Sequence, residues 1–277
     1  MSNIHAPELE LGKKSAYDDT YNPNKLFAIN RDEKRIEIGI DPKSLPFYGY
    51  DLWNHYEVSW LNNKGKPMVG IAEIVYNCMS PNIIESKSMK LYFNGFNQTS
   101  IRSIDKLTTM IEKDLTAQLN YPATVNLYLL QDNSYLTSTT PLSGELIDDL
   151  DVTCTEYQVN PKLLRTSDAE VSETLCSNLL KSNCLVTNQP DWGSVQITYS
   201  GHKINRASLL QYLVSFRNHN EFHEQCIERI FMDIMEFCKP TNLTVYGRYT
   251  RRGGIDINPI RSTLPDVVIP KIRLIRQ

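Results

Sequence analysis

Apolar and polar residues alternate from Tyr56 to Leu61, the period of a strand with one buried face. Asn62-Asn63-Lys64-Gly65 then offers turn residues and Pro67 to Tyr76 returns, so a β-hairpin is predicted. Farther on, Ile101, Ile104, Leu107, Ile111 and Leu115 fall at the spacing of one helix face. Pro122 stops that helix, and Ala123 to Leu130 reads as another strand. The order then recurs. Cys184-Leu185-Val186 enters a turn made of Asn188, Gln189, Pro190 and Asp191, and Ser194 to Tyr199 alternates as a strand. The segment Lys203 to Phe216 follows. Next comes a helix whose stripe is Ile227, Ile230, Phe231, Ile234, Met235 and Cys238, and then a strand from Leu243 to Tyr249.

A constant shift of 120 positions pairs Ser88 with Ser208, Tyr92 with Tyr212, Phe96 with Phe216, and Thr124-Val125 with Thr244-Val245. Shared register and shared element order predict two copies of a strand, strand, helix, strand unit. The class is α+β, with antiparallel sheets and helices packed on one face. Residues 1–45 are predicted to be an N-terminal arm and connection, 46–130 the first unit, 131–175 a linker and 176–277 the second unit. The linker is rich in Ser, Thr, Asp and Asn, and little regular structure is expected there. Residues 1 to about 30 read as a surface arm pinned by Tyr17, Tyr21 and Phe27, with Asp18 and Asp19 among its polar residues. Pro42, Pro46 and Gly49 mark an irregular connection.

Composition narrows the function classes. Of 277 residues, 41% are hydrophobic and 22% charged, with a net charge of -3, which suits a globular chain without a field for nucleic acid. No stretch is apolar for long enough to span a membrane, and Met1 to Gly12 has no signal-peptide core. The six cysteines are scattered without a C-x-x-C pair, so free thiols in a reducing cytoplasm are expected.

Candidate chemistry centres on Cys184 and Asp191, seven positions apart across the predicted turn. A thiolate adds to electrophilic carbon, and a carboxyl can move the proton which that addition requires. His223 and Glu224 fall in the first turn of the second helix, where unpaired backbone N–H groups make a polar end; Asn218 with Glu221 is the predicted capping pair. His223 and Cys226 could share a helix face toward a metal, but His202 and His219 give no zinc spacing and Cys226 continues the apolar stripe. No metal is expected. G-x-G-x-x-G is absent, whereas Arg251-Arg252-Gly253-Gly254 combines cations with a backbone that a phosphate could approach. Lys87 and Lys90 read equally as solvated residues. Glu85 follows Ile83-Ile84, and its carboxylate, like that of Glu224, could accept from the two adjacent donors of a guanine-like edge.

Four stretches together resemble one family. They are Glu85-Ser86-Lys87-Ser88-Met89-Lys90-Leu91-Tyr92, Cys184-Leu185-Val186-Thr187-Asn188-Gln189-Pro190-Asp191-Trp192, Phe216 to Cys226, and Tyr249 to Pro259. The chain is similar in them to the NADPH-dependent 7-cyano-7-deazaguanine reductases (QueF) of queuosine biosynthesis, over about residues 45–262. The resemblance implies a tunnelling fold (T-fold) in two tandem units, a homodimer, and reduction of a nitrile to a primary amine with two NADPH. It also implies that Cys184 forms a covalent thioimide and that Asp191 donates the proton. Ile84, Glu85, Ser86, His223 and Glu224 would then hold the deazaguanine, while Ser86, Lys87, Arg252 and Gly253 would contact NADPH. Two other readings remain open: a zinc-dependent pterin-forming cyclohydrolase of the same fold, and a non-catalytic purine-binding module.

Overall fold

The computed structural model describes residues 20–131, 135, 138–268 and 271–277. The first elements are β1 (Ala28–Asn30), α1 (Asp32–Glu37), β2 (Tyr48–Leu61), β3 (Pro67–Asn77) and β4 (Asn82–Ile84). Then come α2 (Ser86–Asn94), α3 (Ile104–Leu119), β5 (Ala123–Leu129), β6 (Ser138–Thr139) and β7 (Glu145–Leu146). The remainder is β8 (Thr166–Ser177), β9 (Lys181–Asn183), β10 (Pro190–Ile204), α4 (Arg206–Ser215), α5 (His223–Cys238), β11 (Asn242–Tyr249), β12 (Ile255–Ser262) and β13 (Ile272–Arg273). The chain is thus α+β. Among the described residues, β1 with β4, β3 with β5, β10 with β8, β9 and β11, and β11 with β12 pair antiparallel, while the two-residue pairs β7 with β8 and β6 with β13 are parallel.

The chain divides into two compact units. Unit 1 holds residues 1–31, 53–136 and 252–255, and unit 2 holds 32–52, 137–251 and 256–277. In unit 1, β3 is flanked by β2 and β5. Helix α3 packs on β5 and buries Leu107, Ile111 and Leu115 of the predicted stripe and Leu119 one turn on, while Ile101 precedes the helix and Ile104, its first residue, is half-buried. Ser103 caps its start by accepting from the Lys106 N–H, and Asn120, at φ 51°, ends it two residues before Pro122. The segment read as a surface arm is partly built in. β1 pairs with β4, and the Tyr21 hydroxyl donates to Asp114 Oδ2 at 2.7 Å while its ring packs on Tyr92 and Phe96. Tyr17, Asp18 and Asp19 lie outside the described residues.

In unit 2, β10 is flanked by β8 and β11, and α5 packs on β11. The predicted linker is corrected here, because its last ten residues belong to β8 and pair with β10 along most of their length. Their composition hid them: Thr166 to Glu170 are all exposed, so no apolar face marks the strand. Between β6 and β8 the chain also forms a 3-10 turn at Pro161–Leu163.

Particular bonds recur in both units. Tyr92 donates to Asp114 in one, and Tyr212 donates to Asp233 in the other at 2.6 Å. Ser88 Oγ accepts from Phe27 N, and Ser208 Oγ accepts from Arg165 N. The turn Asn22-Pro23-Asn24-Lys25, capped by Asn22, matches the turn Asn160-Pro161-Lys162-Leu163, capped by Asn160.

The C-terminal segment is anchored in unit 2. The buried Gln277 amide donates to Tyr249 O and Asn258 Oδ1, and its oxygen accepts from Arg248 Nε and Leu274 N.

Candidate active site

The hairpin of β9 and the start of β10 sets the geometry around Cys184. Ser182 faces Asp191 and Lys181 faces Trp192 in register. Cys184 extends the pairing by one step, its N–H donating to Gln189 O at 2.8 Å. Because side chains alternate along a strand, residues 182 and 184 share a face with 191. Diagonal neighbours of this kind lie roughly 7–8 Å apart, near enough for thiol and carboxyl to serve one small group. Asn188, at φ 55°, lets the loop close and donates its N–H to Cys184 O at 3.0 Å.

The segment before α5 locks this loop. Asn183 N–H donates to His219 O at 2.7 Å, Glu221 N–H donates to Asn183 O at 3.1 Å, and the Asn220 amide donates to Cys184 O. Cys184 is therefore fixed by backbone bonds while its residue stays partly exposed. Asp191 is buried, and its Oδ2 lies 3.4 Å from His223 Nε2. Glu224, next in sequence to His223, is buried in the first turn of α5. Unit 2 thus holds four of the predicted residues, Cys184, Asp191, His223 and Glu224, and brings Asp191 and His223 into contact.

The predicted cap of α5 is corrected. Phe222 is its N-cap, and the Gln225 side chain accepts from Phe222 N–H at 3.4 Å. Phe has no side-chain acceptor, so only that half of a capping box exists. Glu221 is instead held by Arg229 and His219, partners that keep its carboxyl below the usual range although burial opposes them. Cys226 turns into the core, where burial raises its thiol to about 12, so it stays a protonated thiol. Among the described residues no three His, Cys, Asp or Glu side chains gather as a metal site.

Unit 1 brings together the other predicted residues. Glu85 is the N-cap of α2, with Oε1 accepting from Lys87 N at 2.9 Å and Oε2 from Ser88 N at 2.7 Å. Burial raises its carboxyl pKa, and these two backbone bonds oppose the rise. Asn205 caps α4 in the same way, accepting from Ser208 N. An amide suffices for a cap, so the Glu85 carboxylate offers acceptor capacity beyond what capping needs. Ile84 is buried at the end of β4, and Ser86 and Lys87 open α2.

Arg252 and Gly253 belong to a two-residue turn. Arg252 N donates to Ile255 O and Ile255 N to Arg252 O, with Gly253 at φ 56° and Gly254 at φ 78°. A Cβ on Gly254 would stand 2.5 Å from Glu57 Cδ, and one on Gly253 would stand 3.2 Å from Lys90 Nζ. Lys90 Nζ also lies 3.5 Å from Glu57 Oε2, so an ammonium and a carboxylate both stand against this bare turn.

His55 was not found by sequence reasoning, since nothing in its strand marks it. The Gly254 carbonyl accepts from Tyr56 N at 2.8 Å and lies 3.2 Å from His55 Nδ1, so Nδ1 carries the proton. Burial lowers the His55 pKa to about 4. The neutral ring is favoured in the fold, so its contribution is complete above the ordinary pKa near 6.5 and is lost as pH falls toward 4. The loss is on the order of 3 kcal/mol. Denaturant unfolding at pH 7.5 and pH 4.5 checks this. His55→Asn, which keeps a donor for Gly254, should lose less stability on acidification than the wild type, and equal losses would count against the assignment.

No helix among the described residues is long and apolar enough to cross a membrane.

Comparison with known families extends the picture. Residues 17–127 match the family model described as nitrile reductase, 7-cyano-7-deazaguanine-reductase N-term, and residues 190–265 match that of QueF-like protein. A protein of Legionella pneumophila (strain Lens) is 59% identical over 98% of this chain and 96% of its own length. One from Hydrogenovibrio crunogenus is 54% identical over 96% of each chain, and one from Chromobacterium violaceum is 52% identical over 99% of this chain and all of its own. All three are named NADPH-dependent 7-cyano-7-deazaguanine reductase.

Proposed function

The chain belongs to the NADPH-dependent 7-cyano-7-deazaguanine reductase family, and from that premise we propose that Cys184 is its covalent nucleophile and Asp191 its proton carrier. The enzyme is an NADPH-dependent oxidoreductase that reduces the nitrile of 7-cyano-7-deazaguanine in queuosine biosynthesis. The observation carrying the mechanism is the hairpin register that pairs Ser182 with Asp191 and, through the Cys184 N–H bond to Gln189 O, sets residue 184 two positions along the same strand edge.

Cys184 sulfur bonds to the nitrile carbon as one C–N π bond opens. The thiol proton passes through Asp191 to the nitrogen, leaving a thioimide on Cys184. This divides one hard reduction into easier steps, because a C=N carbon accepts hydride more readily than a nitrile carbon. NADPH, when bound, supplies the two hydrides of the four-electron reduction. Cys184 leaves as a thiolate after the first, so the C–S bond breaks and an imine remains. A proton reaches nitrogen with each hydride, and as the C–S bond breaks one proton returns from nitrogen to the Cys184 thiolate, so the neutral imine, the regenerated thiol and the amine are balanced by two external protons in all. Ser86, Lys87, Arg252 and Gly253 are read as holding the cofactor. Ile84, Glu85, Ser86, His223 and Glu224 are read as binding the deazaguanine. The two units are read as tandem tunnelling folds, and the enzyme as a cytoplasmic homodimer.

Asp191→Asn keeps the shape and loses the proton shuttle. NADPH consumption should fall by about 10²–10⁴-fold in kcat, with nitrile affinity by calorimetry nearly kept. Equal loss of affinity and turnover would point to a structural role.

A further inference from the structure

His223 is held in an unusual way. In most Asp–His pairs the second ring nitrogen is anchored by a hydrogen bond that fixes the plane of the imidazole. Here Nε2 faces Asp191 at 3.4 Å, and Nδ1 is buried with no hydrogen-bond partner among the described residues. The ring instead lies flat on Tyr249, with centroids 3.8 Å apart and planes 4° from parallel.

Tyr249 is itself tightly seated. It is fully buried at the end of β11, directly opposite Gly193 of β10. A Cβ on Gly193 would come within 3.1 Å of the Tyr249 ring, and one on Gly247 within 3.4 Å. Gly193 on the facing strand thus leaves the space that the ring fills, whereas a Cβ on Gly247 would first meet Ile227, at 2.6 Å. The hydroxyl does little by comparison. It lies beside the Cys226 thiol, as does the Ser182 hydroxyl, and neither hydroxyl has a well-formed hydrogen bond among the described residues. Burial, with Cys226, Asp191 and Glu221 nearby, keeps the phenol protonated.

We infer that Tyr249 is a positioning residue whose ring, not its hydroxyl, fixes the plane of the His223 imidazole and so aims Nε2 at Asp191. The inference rests on the role proposed for Asp191. It explains why β10 carries Gly193 two residues beyond Asp191, where a side chain would push the ring aside.

The test uses the full chain with Tyr249→Phe and Tyr249→Leu. Phe keeps the stack and should retain most of kcat. Leu removes it and should lower kcat by about 10²-fold, as a small misplacement of a reacting group does, with KM changed only a few-fold. The His223 ring protons, read by NMR, should sit upfield under the Tyr249 ring current, stay there in Tyr249→Phe and move downfield in Tyr249→Leu. A Phe variant as slow as Leu, or a Leu variant with full kcat, overturns the inference. Should Leu fail to fold, ring protons that are unshifted in the wild type, or that move in Tyr249→Phe, overturn it equally. The nucleophile assignment fails by a different sign, a covalent adduct that persists in Cys184→Ala, which no change at Tyr249 can mimic.

Discussion

Cys184→Ala is expected to abolish NADPH consumption with the nitrile, lowering kcat by roughly 10⁴-fold or more, the scale seen when a covalent nucleophile is removed. Folding should survive. The bonds that hold residue 184 run through its backbone to Gln189, Asn188 and Asn220, and alanine keeps all of them. The residue is also partly exposed, so truncation leaves no sealed cavity. Steady-state turnover beside a denaturation curve separates the two effects. Near-normal turnover in a folded Cys184→Ala protein contradicts the mechanism, and lost turnover in an unfolded one would show that the thiol packs instead of reacting.

The second large effect concerns stability. Glu228 on α5 sits between two buried arginines: Arg35 reaches both of its oxygens, at 3.0 and 2.7 Å, and Arg261 reaches Oε1 at 3.0 and 2.8 Å. Arg261 also donates to Asp51 at 2.8 Å, and both arginines lie over the Phe47 ring. All four charged groups are almost wholly buried, and their charges balance. Glu228→Ala leaves two guanidinium groups facing one carboxylate away from water. The expected cost is about 3–5 kcal/mol, read from denaturant midpoints. A loss below about 1 kcal/mol would mean that water reaches these groups.

Much of this architecture is written in periodicity. The second half of β2, from Tyr56 to Leu61, and the stripes of α3 and α5 follow from apolar spacing, whereas β2 begins at Tyr48 and is buried on both faces from Asp51 to His55, which no alternation marks. Nor does spacing mark strand β8, since its first half buries nothing and its Ser, Thr and Glu residues read as loop. The cap of α5 was misplaced because Glu221, three residues after Asn218, has the spacing of a capping pair yet is claimed by Arg229. Residues 20–31 looked like a loose arm because the partners of Tyr21 and β1, namely Asp114 and β4, lie far along the chain.

The candidate site divides in the same way. Cys184 and Asp191 stood out as candidates by their spacing across a turn, and the structure puts Cys184 one residue past β9 and Asp191 in β10 rather than in the turn. Glu85 was legible as an acid but not as the cap of α2, which needs the start of that helix to be known. Tyr249 left no local trace. Its partner glycine becomes visible only when Gly193 and Tyr249 are seen opposite each other in register.

The central claim is a bond between Cys184 sulfur and the nitrile carbon, and intact-mass analysis with peptide mapping tests it most directly. Incubated with 7-cyano-7-deazaguanine and no NADPH, the wild-type chain should gain the mass of one nitrile molecule, on the peptide that carries Cys184, and Cys184→Ala should gain nothing. A wild-type chain that gains no mass, or gains it on another residue, contradicts the account.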